Sequence, residues 1–429
     1  MTPAARLAAT IELLEAVEAS PRRPADGVAH DFFRARRYIG SGDRRAVAGR
    51  AWQVLRAWRR LGWWLDGVVA TPRLRLAALL LLDGWTPDGV RQAYSGGQYA
   101  PEALTAAERA ALAKLAGHTL DHPAMPEAVR LELPDWIHPM LAAQYGPALP
   151  AEAAAWLTEA PLDLRVNLLK TTREAARAAL AAEGIEAVPT PLSPWGLRIA
   201  GRLPVTTGAA FRDGLVEIQD EGSQVVALLA DARPGQRVAD VCAGAGGKTL
   251  ALAMTMQNRG HIVACDVSAP RLDGAVRRLR RAGAHNVERH LFAPGDKWAK
   301  RRAGTFDRVL VDAPCTGTGT WRRNPDARLR LKAQDLAELT VRQAAILDDA
   351  AGLVRKGGRL IYATCSVLDA EDEATVSAFL DRHPAFRPLP PAAAWPEAPA
   401  GLGAGPYLRL TPARHGTDGF FAAVLERVA

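Results

Sequence analysis

The sequence predicts an α/β protein built on an open, parallel, doubly wound sheet, preceded by a small α/β subdomain and an all-helical region. Three observations lead there. From Val216 onward, short β-branched or apolar runs alternate with stretches of helical period, the pattern of strands joined by crossover helices. Before about residue 145 there is helical spacing and almost no strand signal. The 429 residues, 48% hydrophobic and 23% charged, exceed one ordinary core yet are typical of a folded chain. Together these divide the chain into a helical domain over 1–145, a small α/β subdomain over 151–215 and the sheet domain over 216–429.

In the helical region, Leu7, Ile11, Leu14 and Val17 recur at helical spacing among Glu12, Glu15 and Glu18, which reads as a surface helix and not a secretory leader. Residues 46–65 carry Val47, Ala51, Val54, Leu55, Trp58 and Leu61 at three- and four-residue intervals and predict one amphipathic helix. Pro72 suits a first helical turn, with 74–82 as the buried body behind it. Trp52, Trp58, Trp63, Trp64 and Trp85 have the faces of base-stacking platforms, but at helical spacing they are expected in the core. The longest apolar run, 76–82, is far short of a membrane span. The expectation is a cytoplasmic, monomeric protein with no membrane contact.

Further on, Leu162-Asp-Leu-Arg-Val-Asn167 alternates like a strand, 172–183 reads as a helix stopped by Gly184, and 185–188 as another strand. The sheet domain then offers strands over 238–241, 262–266, 309–312, 360–364 and 420–427. Its helices fall over 222–231, 249–257, 271–282, 334–354 and 371–380. The Pro/Ala/Gly-rich stretch 384–412 reads as an irregular surface connection. In sheets of this kind, ligands sit at the carboxyl edge of the strands.

The formal net charge is +8, and arginine supplies most of it: between Arg22 and Arg75 there are 13 arginines, no lysine and 4 acidic residues. A second basic run lies between Arg271 and Arg302. Guanidinium forks match phosphate geometry, so such a surface favours nucleic acid. Ordinary solvated faces of an Arg-rich chain would look the same, and charge alone does not choose between the two.

Only four cysteines occur, Cys242, Cys265, Cys315 and Cys365, with no C-x-x-C pair, which argues against a zinc site or a disulfide framework. Isolated cysteines are usually inert core residues. Here all four fall at or near the ends of predicted strands, the ligand-binding edge. Cys315, in Asp312-Ala-Pro-Cys315, and Cys365, in Thr364-Cys365-Ser366, would stand on neighbouring strand ends. Two thiols at one edge point to nucleophilic chemistry. The stretch after Cys315, Thr-Gly-Thr-Gly-Thr-Trp-Arg322-Arg323, reads as a flexible turn carrying guanidinium groups toward a phosphate backbone.

The run Asp240-Val-Cys242-Ala243-Gly244-Ala245-Gly246-Gly247-Lys248-Thr249 is a strand, a glycine turn and a helix start. Gly247-Lys248-Thr249 imitates the end of a phosphate-binding loop, but Cys242 occupies the position where that loop needs its first glycine. A dinucleotide fingerprint fits Gly244 and Gly246 and then meets Thr249 where the third glycine belongs. The next strand closes on Asp266, placed to bind ribose hydroxyls. A glycine turn and this carboxylate, without a pyrophosphate cradle, suit an adenosine cofactor such as S-adenosylmethionine.

Taken as a set, Gln219-Asp-Glu-Gly-Ser-Gln224, the 240–249 turn, Asp266-Val-Ser268 with Arg271-Leu272, Asp312-Ala-Pro-Cys315 and Thr364-Cys365-Ser366 resemble the RNA (cytosine-5) methyltransferase family, in particular its bacterial Fmu/RsmB-type branch. The resemblance covers about 160–429. Gly42-Asp-Arg-Arg45, Trp52-Gln-Val-Leu-Arg56 and the 75–82 helix are similar to the NusB-like helical domain of that branch. Two departures stand out: Gly244-Ala245 replaces the family's usual Ala-Pro. The aspartate commonly found after the third strand is absent from Val287-Glu-Arg-His-Leu291, with Asp296 coming several residues later.

The resemblance implies a Rossmann-like class I methyltransferase sheet and S-adenosylmethionine bound by Cys242, Ala243, Gly244, Ala245, Gly246, Gly247, Lys248, Asp266, Arg271 and Asp312. It also implies an RNA substrate, ribosomal or transfer, and no metal. Cys365 would attack C6 of a cytosine, Asp312 would hold the polar edge of the base, and Cys315 would serve release; Arg322 and Arg323 would contact RNA. The competing expectation is a non-catalytic RNA-binding assembly factor with a vestigial methyltransferase domain.

Overall fold

The computed structural model describes residues 1–201, 203–293, 295–399, 401–402 and 405–429. Its contacts divide the chain into two compact units, Met1–Thr158 with Trp321–Lys332, and Glu159–Thr320 with Ala333–Ala429.

The first unit is helical. Its core is built from apolar faces of helices Pro3–Glu18, Ala25–Ala35, Ser41–Arg56 and Pro72–Leu82, with Leu13, Leu14, Val54, Leu55, Leu76 and Leu80 among the residues sealed from solvent. Thr71 caps the last of these helices from its side chain and Pro72 fills the first turn, as the sequence indicates. The amphipathic run over 46–65 is two helices and not one, Ser41–Arg56 and Trp58–Trp64. The break has a visible cause: the carboxylate of Glu132, wholly buried, accepts from the backbone N–H groups of Arg59 and Arg60, both at 2.9 Å, and so caps a fresh helix start.

Of the tryptophans expected in the core, Trp52 is buried, Trp58 and Trp64 are partly buried against it, and Trp85 is exposed. Several arginines are likewise not on an outer face. Arg75 lies over the Trp58 ring at 4.2 Å and donates to the carbonyl of Ala70, and Arg60 pairs with buried Glu132.

The second unit holds two sheets. Strands β1 (Leu162–Val166), β2 (Ala187–Pro189), β3 (Gly196–Ile199) and β4 (Val216–Ile218) form an antiparallel sheet in the order β2-β3-β1-β4, backed by the helix Arg173–Ala182. The sequence reading ends this subdomain near 215, but β4 pairs with β1 and belongs to the small sheet.

The large sheet comprises β5 (Arg237–Val241), β6 (His261–Asp266), β7 (Val287–Leu291), β8 (Phe306–Asp312), β9 (Val354–Thr364), β10 (Phe386–Leu389), β11 (Leu408–Leu410) and β12 (Phe420–Arg427). Its order is β10-β12-β9-β8-β5-β6-β7, with β11 pairing β12. The five strands from β9 to β7 are parallel, as the alternation predicts; β12 runs antiparallel to β9 and β10 antiparallel to β12. The chain reverses at β5, so the carboxyl ends of β5, β6 and β8 open a crevice at the switch point.

The stretch over 384–412 is not simply a surface connection. It contributes β10 and β11 and buries Trp395, Leu402 and Leu408; residues 400, 403 and 404 of it lie outside the described residues. Among the described residues no helix is long and apolar enough to cross a membrane.

Candidate active site

The crevice is a cavity of about 1190 Å³ within the second unit. The turn after β5 forms its floor. Cys242, Gly244 and Gly246 all take positive φ, at 68°, 56° and 79°, which turns the chain sharply before the helix Gly247–Thr255. Two of the three are glycine, for which that region costs little; Cys242 bears the strain at the cavity wall. The turn is held from behind: Arg165, buried in the small sheet, donates to the carbonyl of Gly247 at 2.8 Å, and Arg278 to that of Ala245 at 2.8 Å.

Asp266, at the end of β6, is almost wholly buried. Its Oδ2 accepts from Gly244 N and its Oδ1 from Ser268 N, each at 2.8 Å. The two backbone donors fix the carboxylate plane and leave each oxygen a further lone pair toward the cavity. Asp240, one strand over, is fully buried; its Oδ2 accepts from Thr249 Oγ1 at 2.6 Å, and burial pushes its carboxyl up to about 7.

At the end of β8, Asp312 Oδ2 stands 2.7 Å from Lys248 Nζ, and that ammonium lies 5.5 Å from the centre of the Phe420 ring. Lys248 is buried while Asp312 keeps about a third of its surface, so the carboxylate faces the cavity with the cation tucked behind it. Just beyond, Cys315 Sγ and Cys365 Sγ are 3.4 Å apart. Hydrogen bonding to Cys365, burial and nearby negative charge push the Cys315 thiol well above its ordinary range. Both sulfurs belong to residues of the cavity wall.

The loop after Cys315 is clamped, not flexible. Gly319 N donates to the carbonyl of Cys365 at 2.9 Å and Gly419 N to that of Gly319 at 2.8 Å. The Thr318 hydroxyl accepts from Val367 N at 2.9 Å. A Cβ on Gly319 would meet the carbonyl oxygen of Gly419 at 2.3 Å, so this approach requires glycine.

Cys242, Ala243, Gly244, Ala245, Gly247, Lys248, Asp266, Arg271, Asp312, Cys315 and Cys365 all line the one cavity, which brings the two strand-end thiols and the glycine turn together. Gly246 does not face it; a Cβ there would press on Ala275 of the next helix at 3.3 Å. Cys265 is sealed in the core, and burial pushes its thiol up. Arg322 is also buried, among the residues of the helical unit, and its carbonyl accepts from Arg56 at 3.1 Å. Burial removes it as a surface contact for phosphate; Arg323 keeps partial exposure.

The sequence reading also missed part of the wall. Gln219 and Ser223 line the cavity from the segment recognised by resemblance alone, and Phe292 and Gly295 from the turn after β7, beside Asp296, the acid noted in the sequence after the third strand. Arg342, Ile346, Asp349 and Leu353 do so from the long helix Ala333–Ala351 and just past its end. Their three- and four-residue spacing is the signal that could have found them. Asp296 is held there by its bonds to His290 Nε2 at 2.6 Å and Trp298 N at 2.8 Å.

The chain resembles known proteins in both sequence and fold. Residues 227–426 match the family described as 16S rRNA methyltransferase RsmB/F, and 133–206 match the ferredoxin-like domain described for RsmF/B-like methyltransferases. A probable ribosomal RNA small subunit methyltransferase B from Synechocystis is 34% identical over 313 residues, 72% of this chain and 70% of that protein. Ribosomal RNA small subunit methyltransferase B from Thermus thermophilus is 36% identical over 305 residues, 71% of this chain and 67% of that one. Among solved structures, PH0851 superposes with a TM-score of 0.78 at 27% identity over 99% of both chains. The chain belongs to the RsmB/F family of 16S rRNA methyltransferases.

Proposed function

We propose that the protein methylates C5 of a cytosine in small-subunit ribosomal RNA, through a transient bond between Cys365 Sγ and C6 of the base. The observation that carries this reading is the pair of sulfurs 3.4 Å apart on the wall that also holds Asp312 and Lys248. A simple O- or N-methyltransferase has no use for two adjacent thiols.

The cavity suits S-adenosylmethionine, the methyl donor of this family. The oriented Asp266 carboxylate is placed for ribose hydroxyls, and the wall of Phe292 and Ile346 for an apolar ring face. The uncapped start of the helix Gly247–Thr255 favours a carboxylate. Bound there, the sulfonium supplies an electrophilic methyl group.

The protein's own groups do the rest. Cys365 attacks C6 as thiolate, and the C5–C6 electron pair moves toward C5 and the ring nitrogen edge. Asp312 meets that edge, and the Lys248 ammonium paired behind it offsets the developing negative charge. C5 takes the methyl group, a base removes the C5 proton, and the C6–Sγ bond breaks as the double bond reforms. Cys315, held as the neutral thiol, hydrogen-bonds the departing sulfur and assists release. The base must leave its stack to reach these groups, which makes an unpaired or flipped cytosine the substrate.

Bisulfite mapping of ribosomal RNA from a deletion strain tests the activity: one small-subunit cytosine should lose its methyl mark. With purified protein, Cys365→Ala should abolish transfer, and Cys315→Ala should accumulate a protein–RNA adduct stable to denaturing gels. Normal turnover in Cys365→Ala would overturn the assignment.

A further inference from the structure

We propose that Glu371 is a positioning residue for Cys315: its buried carboxylate ties down the chain on both sides of that cysteine and so sets the sulfur against Cys365. The inference rests on the reading of Cys315 as the release thiol.

Glu371 is wholly buried, in the turn between β9 and the helix Glu373–Arg382. Its Oε1 accepts from Thr316 N at 2.9 Å and from Gln343 Nε2 at 2.9 Å, and its Oε2 accepts from the Thr316 hydroxyl. Gln343 Nε2 donates as well to the carbonyl of Pro314, at 2.9 Å. Residues 314 and 316, the two neighbours of Cys315, are thus bound to one carboxylate, the first through an amide and the second directly. Gln343 is itself buried and its Oε1 has no hydrogen-bond partner among the described residues, so the amide is committed to these two acceptors at some cost. Glu371 is anchored in turn through its carbonyl, which accepts from the Tyr362 hydroxyl at 2.6 Å.

No cation pairs with Glu371 among the described residues; nearby Arg409 bonds Asp369 and Glu373 instead. A buried carboxylate without a counter-ion is expensive unless hydrogen bonds satisfy it, and here the donors are Thr316 of the Cys315 turn and Gln343, which also holds that turn. The Cys365 contact and burial disfavour a Cys315 thiolate, and the Glu371 charge adds to them. One group therefore sets the place of the second thiol and adds to what keeps it neutral.

The test uses the full-length protein with an unmodified small-subunit rRNA transcript and S-adenosylmethionine, and reads both turnover and denaturation-stable adduct. Glu371→Ala should lower turnover about 10- to 100-fold and accumulate adduct as Cys315→Ala does, because misplacement stalls release and spares attack. Glu371→Gln, which still offers an acceptor to Thr316 N, should restore clearance of the adduct. Thr316→Val, nearly isosteric, should give a smaller accumulation and carries the test if Glu371→Ala does not fold. S-adenosylmethionine affinity by calorimetry should stay within threefold. If Glu371→Ala and Thr316→Val lose turnover without adduct while Cys315→Ala accumulates it, Glu371 is merely structural and the inference is overturned. If Cys315→Ala itself accumulates none, the reading of Cys315 fails and this inference falls with it.

Discussion

Cys315 and Cys365 face each other across neighbouring parallel strands, their sulfurs 3.4 Å apart, just beyond the point where Asp312 pairs with Ala363 in register. The two thiols are not equivalent. Cys315 lies in a turn bound to a buried carboxylate and is held neutral; Cys365 lies at the open end of β9. Fifty residues of sequence separate them, and the pairing of β8 with β9 is what brings them together.

That inequality predicts an order of alkylation. With sub-stoichiometric iodoacetamide at neutral pH, Cys365 should be modified well before Cys315, since the thiolate is the reacting species. Peptide mass spectrometry after timed quenching checks this, and preferential labelling of Cys315 would reverse the proposed roles.

Asp266 offers a second test. Asp266→Ala strips two backbone N–H groups, of Gly244 and Ser268, of their acceptor and takes away the carboxylate facing the cavity. S-adenosylmethionine binding should weaken by about 1.5–3 kcal/mol, roughly 10- to 150-fold, as measured by calorimetry. Unchanged affinity would place the ribose elsewhere.

Gly319→Ala should disturb the thiol pair without touching either sulfur. The added methyl collides with the Gly419 backbone, and overpacking of this kind costs about 1–3 kcal/mol. A lowered melting temperature together with reduced turnover is expected. A variant as stable and active as the parent would show the two loops free to separate.

The pH dependence of stability should carry a signature of Asp240. Its carboxyl is raised by burial from the ordinary 3.8 to about 7. The folded state therefore binds a proton more tightly than the unfolded chain, and this stabilisation, full below about pH 4, is lost as pH rises to about 7. Within that window the slope is at most about 1.4 kcal/mol per pH unit. Urea unfolding at pH 5 and pH 8 should show Asp240→Asn gaining on the parent at the higher pH. An equal difference at both values would mean that Asp240 is ionised in the fold.

Much of this was legible in the sequence. The carboxyl-terminal halves of β8 and β9 and the middles of β5 and β6 are short, buried, mostly apolar runs, and their ends carry the polar residues of the site. What escaped was set by tertiary contacts. The helix break at Ala57 depends on Glu132, some seventy-five residues away. Strands β10 and β11 are short and lie in Pro-rich sequence, where pairing with β12 overrides local preference. Arg322 read as a surface cation because its charge is visible in the sequence and its burial is not. Glu371 passed as an ordinary helix-start acid, since nothing local tells that its partners are Thr316 and Gln343.

The segment Trp321–Lys332 lies among the helices of the first 158 residues. There the Trp321 ring meets Trp156 edge to face at 6.0 Å, Asp326 accepts from Ala25 N at 3.0 Å, and Arg328 donates to the carbonyl of Trp156 at 3.3 Å. Trp321 and Arg328 are sealed from solvent. The amino-terminal unit therefore cannot complete its interior as it leaves the ribosome. It must wait, with a tryptophan-sized gap, until synthesis has passed Lys332 and half the strands of the large sheet have been made. A chain cut after Thr158 lacks the Trp321–Lys332 segment of its own interior and is an unfinished body, not a portable module.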